Sequence, residues 1–251
     1  MRSKRIRTSV IAAMALLSLA LTSCMSVGET AQIVDLRTES RIVELGGATE
    51  VEVVINMGIG DCSVRSGSDE LLTAEFSYNV EEWKPAVEYR VESGRGMLTI
   101  TQPDAGDKNA PSSARNEWIL EFSDDVLLDI VLDMGVGEAE LDLGNLRLTG
   151  LNVDNGVGEI FLSLVGTGVG DLNASIDGGV GEINLVVPTA IGVRVDADTG
   201  IGELRTHGLT RRGGYLVNDV YEDSEHKIEI NVDAGVGSIT IETSDTQSVS
   251  M

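Results

Sequence analysis

Val153 to Glu159 reads VDNGVGE: an apolar residue, an acid, a variable residue, then Gly, one aliphatic residue, Gly and Glu. Five other stretches share the pattern, INMGIGD at Ile55 to Asp61, LDMGVGE at Leu132 to Glu138, IDGGVGE at Ile176 to Glu182, ADTGIGE at Ala197 to Glu203 and VDAGVGS at Val232 to Ser238. The leading glycines are Gly58, Gly135, Gly156, Gly179, Gly200 and Gly235, at intervals of 77, 21, 23, 21 and 35 residues; the trailing ones are Gly60, Gly137, Gly158, Gly181, Gly202 and Gly237. A period of about 21 residues marks a stacked repeat whose units bury their apolar faces against one another.

On both sides of each glycine pair the apolar residues alternate. Ile160, Leu162 and Leu164 share one face, as do Ile183, Leu185 and Val187, and before the glycines Leu128, Ile130 and Leu132 do the same. Both halves of a unit therefore read as strands. The glycine pair reads as a corner where two strands meet and the backbone needs positive φ or close approach by the neighbouring coil. A phosphate cradle would need a helix N-terminus behind the glycines, and each copy runs into another strand instead.

About 21 residues hold two or three short strands and tight corners but no crossover helix. The expected fold is all-β, a stacked-repeat β-solenoid in the form of a single-stranded, right-handed β-helix. An antiparallel β-sandwich folded as a meander fits the same alternation.

Residues 1–24 carry Arg2, Lys4, Arg5 and Arg7 ahead of an apolar run, Val10 to Leu21, that is short for a membrane span. The run ends in Leu21-Thr22-Ser23-Cys24, which resembles a bacterial lipobox and makes Cys24 the expected acylated N-terminus. Acyl chains contribute about 0.8 kcal/mol per buried methylene, so two or more hold stably. The expected organisation is a lipoprotein signal peptide at 1–24, a tether at 25–45, an N-terminal β module at 46–125, solenoid repeats at 126–243 and a disordered tail at 244–251.

The whole chain has a formal net charge of −23; removal of the four signal-peptide cations leaves 14 Lys and Arg against 41 Asp and Glu. That balance excludes nucleic acid as a partner and any electrostatic grip on anionic lipid, since both need a basic footprint. Beyond Cys24 the only cysteine is Cys62, which occupies the column of Ala139, Ile160, Ile183, Leu204 and Ile239 and reads as a small buried hydrophobe. Trp83 and Trp118 read as core of the N-terminal module, with a sugar-stacking pair as the alternative.

The residues LLTAEFSYNVEEWKPAVEY at Leu71 to Tyr89, NEWILEF at Asn116 to Phe122 and the later GVGE corners together resemble the toast-rack family of bacterial envelope proteins. The later part is similar to the C-terminal domain of cell-wall-active-antibiotic response proteins and to adhesin-like proteins of the same repeat. The resemblance implies a stacked β architecture and an envelope location, and it brings no catalytic residues.

Two features remain. Asp133, Asp154, Asp177, Asp198 and Asp233, with Asn56, stand two residues before each leading glycine and should form a ladder about 4.8 Å per rung. Hydrogen bonds from the corner amides would offset their repulsion, with water screening the remainder; bound Ca²⁺ is the alternative, and no other cofactor is expected. The second feature is the insertion Arg205 to Lys227, with His207, His226, Arg211, Arg212, Tyr215 and Tyr221, which reads as a cap on the last coil or as a ligand loop. Function narrows to a non-enzymatic envelope lipoprotein that scaffolds, adheres or senses, with the membrane, an envelope protein or cell-wall glycan as partners. The alternative is a polysaccharide-active β-helix enzyme. Sugar cleavage needs two carboxylates in distinct environments, and the acids here repeat in one environment.

Overall fold

The computed structural model describes residues 33–103, 112–166, 168 and 170–245. The alternating sequence forms β1 at Ile33–Val43, β2 at Glu50–Ile59, β3 at Asp61–Ser66, β4 at Leu72–Val80, β5 at Ala86–Glu92, β6 at Arg95–Thr101 and β7 at Asn116–Phe122. Longer strands follow: β8 at Leu127–Asp142, β9 at Arg147–Ser163, β10 at Leu172–Pro188 and β11 at Gly192–His207. The short strands β12 at Thr210–Arg212 and β13 at Tyr215–Val217 precede the last, β14 at Lys227–Ser244.

Each long strand runs through its Gly-X-Gly corner, so one strand is one coil with two arms. Neighbouring coils pair in parallel and in register, which establishes the solenoid over the antiparallel sandwich. Gly158 shows why the corner needs glycine. Its φ is +142°, and a Cβ there would collide with the carbonyl oxygen of Gly137 in the next coil. Gly181 is held at φ +148° against Gly158 in the same way.

The apolar columns meet between the arms. Leu132, Val153, Ile176 and Val232 on the first arm and Ala139, Ile160, Ile183 and Ile239 on the second are all buried. Burying a Val, Leu or Ile side chain contributes about 1.5–3 kcal/mol, and the columns repeat this at every rung. One core cluster extends from Ala48 to Ile241, across the boundary expected between residues 125 and 126.

The stacking order departs from the chain order. The final copy, on β14, lies between β10 and β11, so the rungs run Asn56, Asp133, Asp154, Asp177, Asp233, Asp198. Residues 189–191, joining β10 to β11, therefore step across two rungs, roughly 10 Å, which so short a linker spans when extended. The insertion then brings the chain back so that β14 fills the space between.

At the other end the two arms separate into two sheets. The first arm continues as β2, β6 and β5, and the second as β3, β7, β4 and β1. β6 and β7 are themselves the arms of one more coil, whose corner is replaced by residues 102–115. The tether expected at 25–45 is corrected here: residues 33–43 form β1, antiparallel to β4 at the sheet edge. Its side chains are mostly exposed, and cross-strand polar contacts hold it, including Tyr78 Oη donating to Glu39 at 2.8 Å and Lys84 Nζ donating to Glu39 at 2.7 Å. Ser244, expected to open the tail, belongs to β14. The signal peptide and Cys24 lie outside the described residues, as does most of the expected tail.

A candidate interaction ridge at the glycine corners

Two faces of a pleated strand compete for each residue, and at the corner the residue between the glycines points outward. Ile59, Val136, Val157, Val180, Val236 and Ile201 thereby form one column on the convex edge of the stack. Their exposure runs from 38% at Ile59 to 72% at Ile201. Rungs about 4.8 Å apart make this an aliphatic ridge of roughly 24 Å. By contrast, the outward column on the second arm changes freely from coil to coil, as Glu140, Phe161, Asn184, Thr240 and Arg205 show. Packing does not demand an aliphatic residue at the ridge, yet every coil with a Gly-X-Gly corner has one.

Carboxylates flank the ridge on both sides. Asp133, Asp154, Asp177, Asp233 and Asp198 are exposed on the first-arm side, and Glu138, Glu159, Glu182 and Glu203 on the other, where Ser238 interrupts the row. Partial burial, with Asp133 and Asp177 on either side, raises the Asp154 carboxyl above its ordinary range. Burial also raises Asp233, with added repulsion from Asp177, Asp198 and Asp196. The ladder therefore exists and its members repel.

Among the described residues no corner amide donates to a carboxylate of the Asp column, contrary to expectation. The amides serve the neighbouring coil, as where Gly60 N donates to the Val136 carbonyl at 3.0 Å. Ser175 Oγ donates to Asp177 Oδ2 at 3.4 Å, and exposure to water, the other part of the expectation, supplies the screen. For calcium, the ladder offers one Asp per rung along a line; among the described residues no three acidic, His or Cys side chains gather where they could hold a metal ion.

The corners are pinned from inside by residues without a sequence signature. Asn155 is buried and its Nδ2 donates to the Gly137 carbonyl at 3.1 Å. At the N-terminal end, Gln102 Oε1 accepts from the amides of Gly58 at 2.9 Å and Ile59 at 3.1 Å. Asn116 Nδ2 donates to that same oxygen and to the Ile59 carbonyl, while Trp118 Nε1 donates to Asn116 Oδ1. Gln102, Asn116 and Trp118 thus close the open end of the corner ladder. A buried Gln or Asn, in a strand as at Asn155 and Asn116 or beyond one as at Gln102, is silent in sequence until its partners are known.

Other candidate residues resolve into structure. Trp83 and Trp118 are both buried, in separate clusters, and Trp118 meets Phe76 edge-on at 5.5 Å, so they form no sugar platform. Cys62 pairs in register with Ala139, and burial pushes its thiol up to about 12, which leaves it without thiolate character. In the insertion, β13 pairs with β11 only at Arg194 and Val195, held by buried Asn218, whose Oδ1 accepts from Val193 N at 3.0 Å. The hairpin covers the first arm of the last coil and leaves the second arm open. Among the described residues His207 and His226 join no group of three ligating side chains; His226 lies 3.5 Å from Asp171. No helix among the described residues is long and apolar enough to cross a membrane.

With this geometry in hand, residues 32–186 match the N-terminal domain of toast-rack proteins, and residues 135–241 match the C-terminal domain of LiaF, of the cell wall-active antibiotics response. Among solved structures, a candidate cell adhesion protein from Clostridium sporogenes is 34% identical, with 83% of this chain and 100% of that chain covered and a TM-score of 0.81. A candidate adhesin from Bacteroides fragilis is 13% identical over 82% of this chain and 96% of that one, with a TM-score of 0.32, and carries no argument. A comparison with curated proteins found no match.

Proposed function

This chain belongs to the toast-rack family, and from that premise we propose that it is a non-enzymatic, lipid-anchored lipoprotein of the cell envelope that makes adhesin-like contacts. The observation that supports the contact role most is the corner ridge, six exposed aliphatic rungs between two rows of carboxylates. A monomer surface seldom keeps a continuous apolar stripe unless something covers it. The acidic flanks suit a partner whose edges are cationic or polar, and they keep two such ridges from closing on each other. An envelope protein meets that description better than a neutral glycan.

The anchor rests on the lipobox resemblance at Cys24. Acylation there would hold the N-terminal sheets near a membrane and direct the coils away from it. Metabolic acyl labelling and membrane fractionation of Cys24→Ala test this. Loss of label and accumulation of the unprocessed precursor are expected, and a retained acyl label on Cys24→Ala would overturn the anchor.

A further inference from the structure

The last coil of the stack, β11, has a neighbour on one side only along its second arm. β14 pairs with it from Gly192 to His207, whereas β13 covers just Arg194 and Val195 on the other side. Among the described residues nothing pairs with the outer edge of Ile201 to His207. Alternate backbone N–H and C=O groups there point outward, the arrangement that templates another strand. The core is open at the same place. Leu204 is only partly buried, while its column mates Ile160, Ile183 and Ile239 are fully covered.

The sequence of this edge is complementary to itself. Glu203 and Arg205 flank Leu204 on the outward face, and within one chain Arg205 Nη2 lies 2.5 Å from Glu203 Oε2. An antiparallel pairing centred on Leu204 places Glu203 opposite Arg205 of a second copy and Arg205 opposite its Glu203, so both charges gain a cross-strand partner. Charge also permits the approach. In a chain of net −23, residues 203–212 hold three Arg against one Glu, so two tips can meet without the repulsion that the carboxylate ladders would impose.

We propose that the free end of the solenoid is a homophilic contact site, at which the second arm of β11 pairs antiparallel with the same arm of a second copy about Leu204. The twofold arrangement closes both open edges in one step and extends the core across the joint. β1 lies at the opposite edge of the sheet from this tip, so the N-terminal ends of the two copies face away from each other. Copies rooted in two facing envelopes could meet in this way. The pairing itself requires neither the lipid anchor nor the ridge.

Sedimentation of the full chain in mild detergent, over a range of concentrations, tests the contact. The wild type is expected at twice the monomer mass. Arg205→Glu and Glu203→Arg each place like charges opposite one another and are expected to halve that mass, while the double variant Glu203→Arg/Arg205→Glu restores it. Both side chains are about half exposed or more, so melting temperatures should stay close to wild type and separate this effect from misfolding. A wild type that remains monomeric throughout, or a dimer unaffected by either reversal, would overturn the proposal.

Discussion

Asn116 donates its Nδ2 proton to the carbonyl of Ile59 at 2.8 Å, spanning 57 residues of sequence to close the first glycine corner. The coil that would have satisfied that carbonyl is interrupted by residues 102–115, and a side-chain amide stands in for the missing backbone. Asn116→Leu keeps similar bulk, removes the amide and leaves Ile59 O without that donor and buried Trp118 Nε1 without its acceptor. The expected cost is about 1–3 kcal/mol, read as a lower midpoint in urea with an unchanged slope. An unaltered midpoint would mean that the amide does not close the ladder.

The corners themselves are tested by contrast. Gly158→Ala adds one methyl at φ +142°, facing the Gly137 carbonyl oxygen, and should destabilise by roughly 2 kcal/mol or more. Gly170→Ala meets nothing within 4 Å and should be nearly neutral. Equal melting temperatures for the two variants would contradict the corner geometry.

Repulsion in the Asp ladder sets a pH dependence. The Asp154 carboxyl is raised in the fold, so its charged form opposes folding at neutral pH, and that penalty fades as pH falls through the folded value toward the unfolded one near 3.9. Asp154→Asn should therefore melt higher than wild type at pH 7, and the difference should vanish below about pH 4. High salt should shrink it as well. A variant that melts lower than wild type at pH 7 would show that the carboxylate is held by an attractive partner.

Calcium is separable from screening by the same measurement. With one Asp per rung and no convergent cluster among the described residues, millimolar Ca²⁺ should raise the melting temperature no more than a monovalent salt of equal ionic strength. A rise specific to calcium and reversed by chelator would establish ion binding along the ladder.

The corners and both arms of the coils were legible because glycine at positive φ and period-two alternation leave local marks, as at Gly158 and Ile160 to Leu164. The order of the coils was not. β11 and β14 carry the same corner pattern, and only the tertiary pairing of Asp233 with both Asp177 and Asp198 reveals the exchange. β1 escaped notice because an edge strand held by Arg37, Thr38 and Glu39 needs no apolar column. The ridge residues were visible as the aliphatic letter between the glycines, but which way they pointed depended on how the corner bends.

Under the proposed function, the ridge serves binding and not folding. Val136→Thr, Val157→Thr and Val180→Thr together keep the β-branched shape while replacing three exposed methyls with hydroxyls. The deciding measurement is co-sedimentation of the chain beginning at Met25 with isolated envelopes of the producing cell, for wild type and triple variant, with thermal unfolding of each alongside. A melting temperature within a few degrees of wild type together with at least tenfold weaker binding is the predicted result. Undiminished binding by a folded triple variant would show that the ridge is not the contact surface.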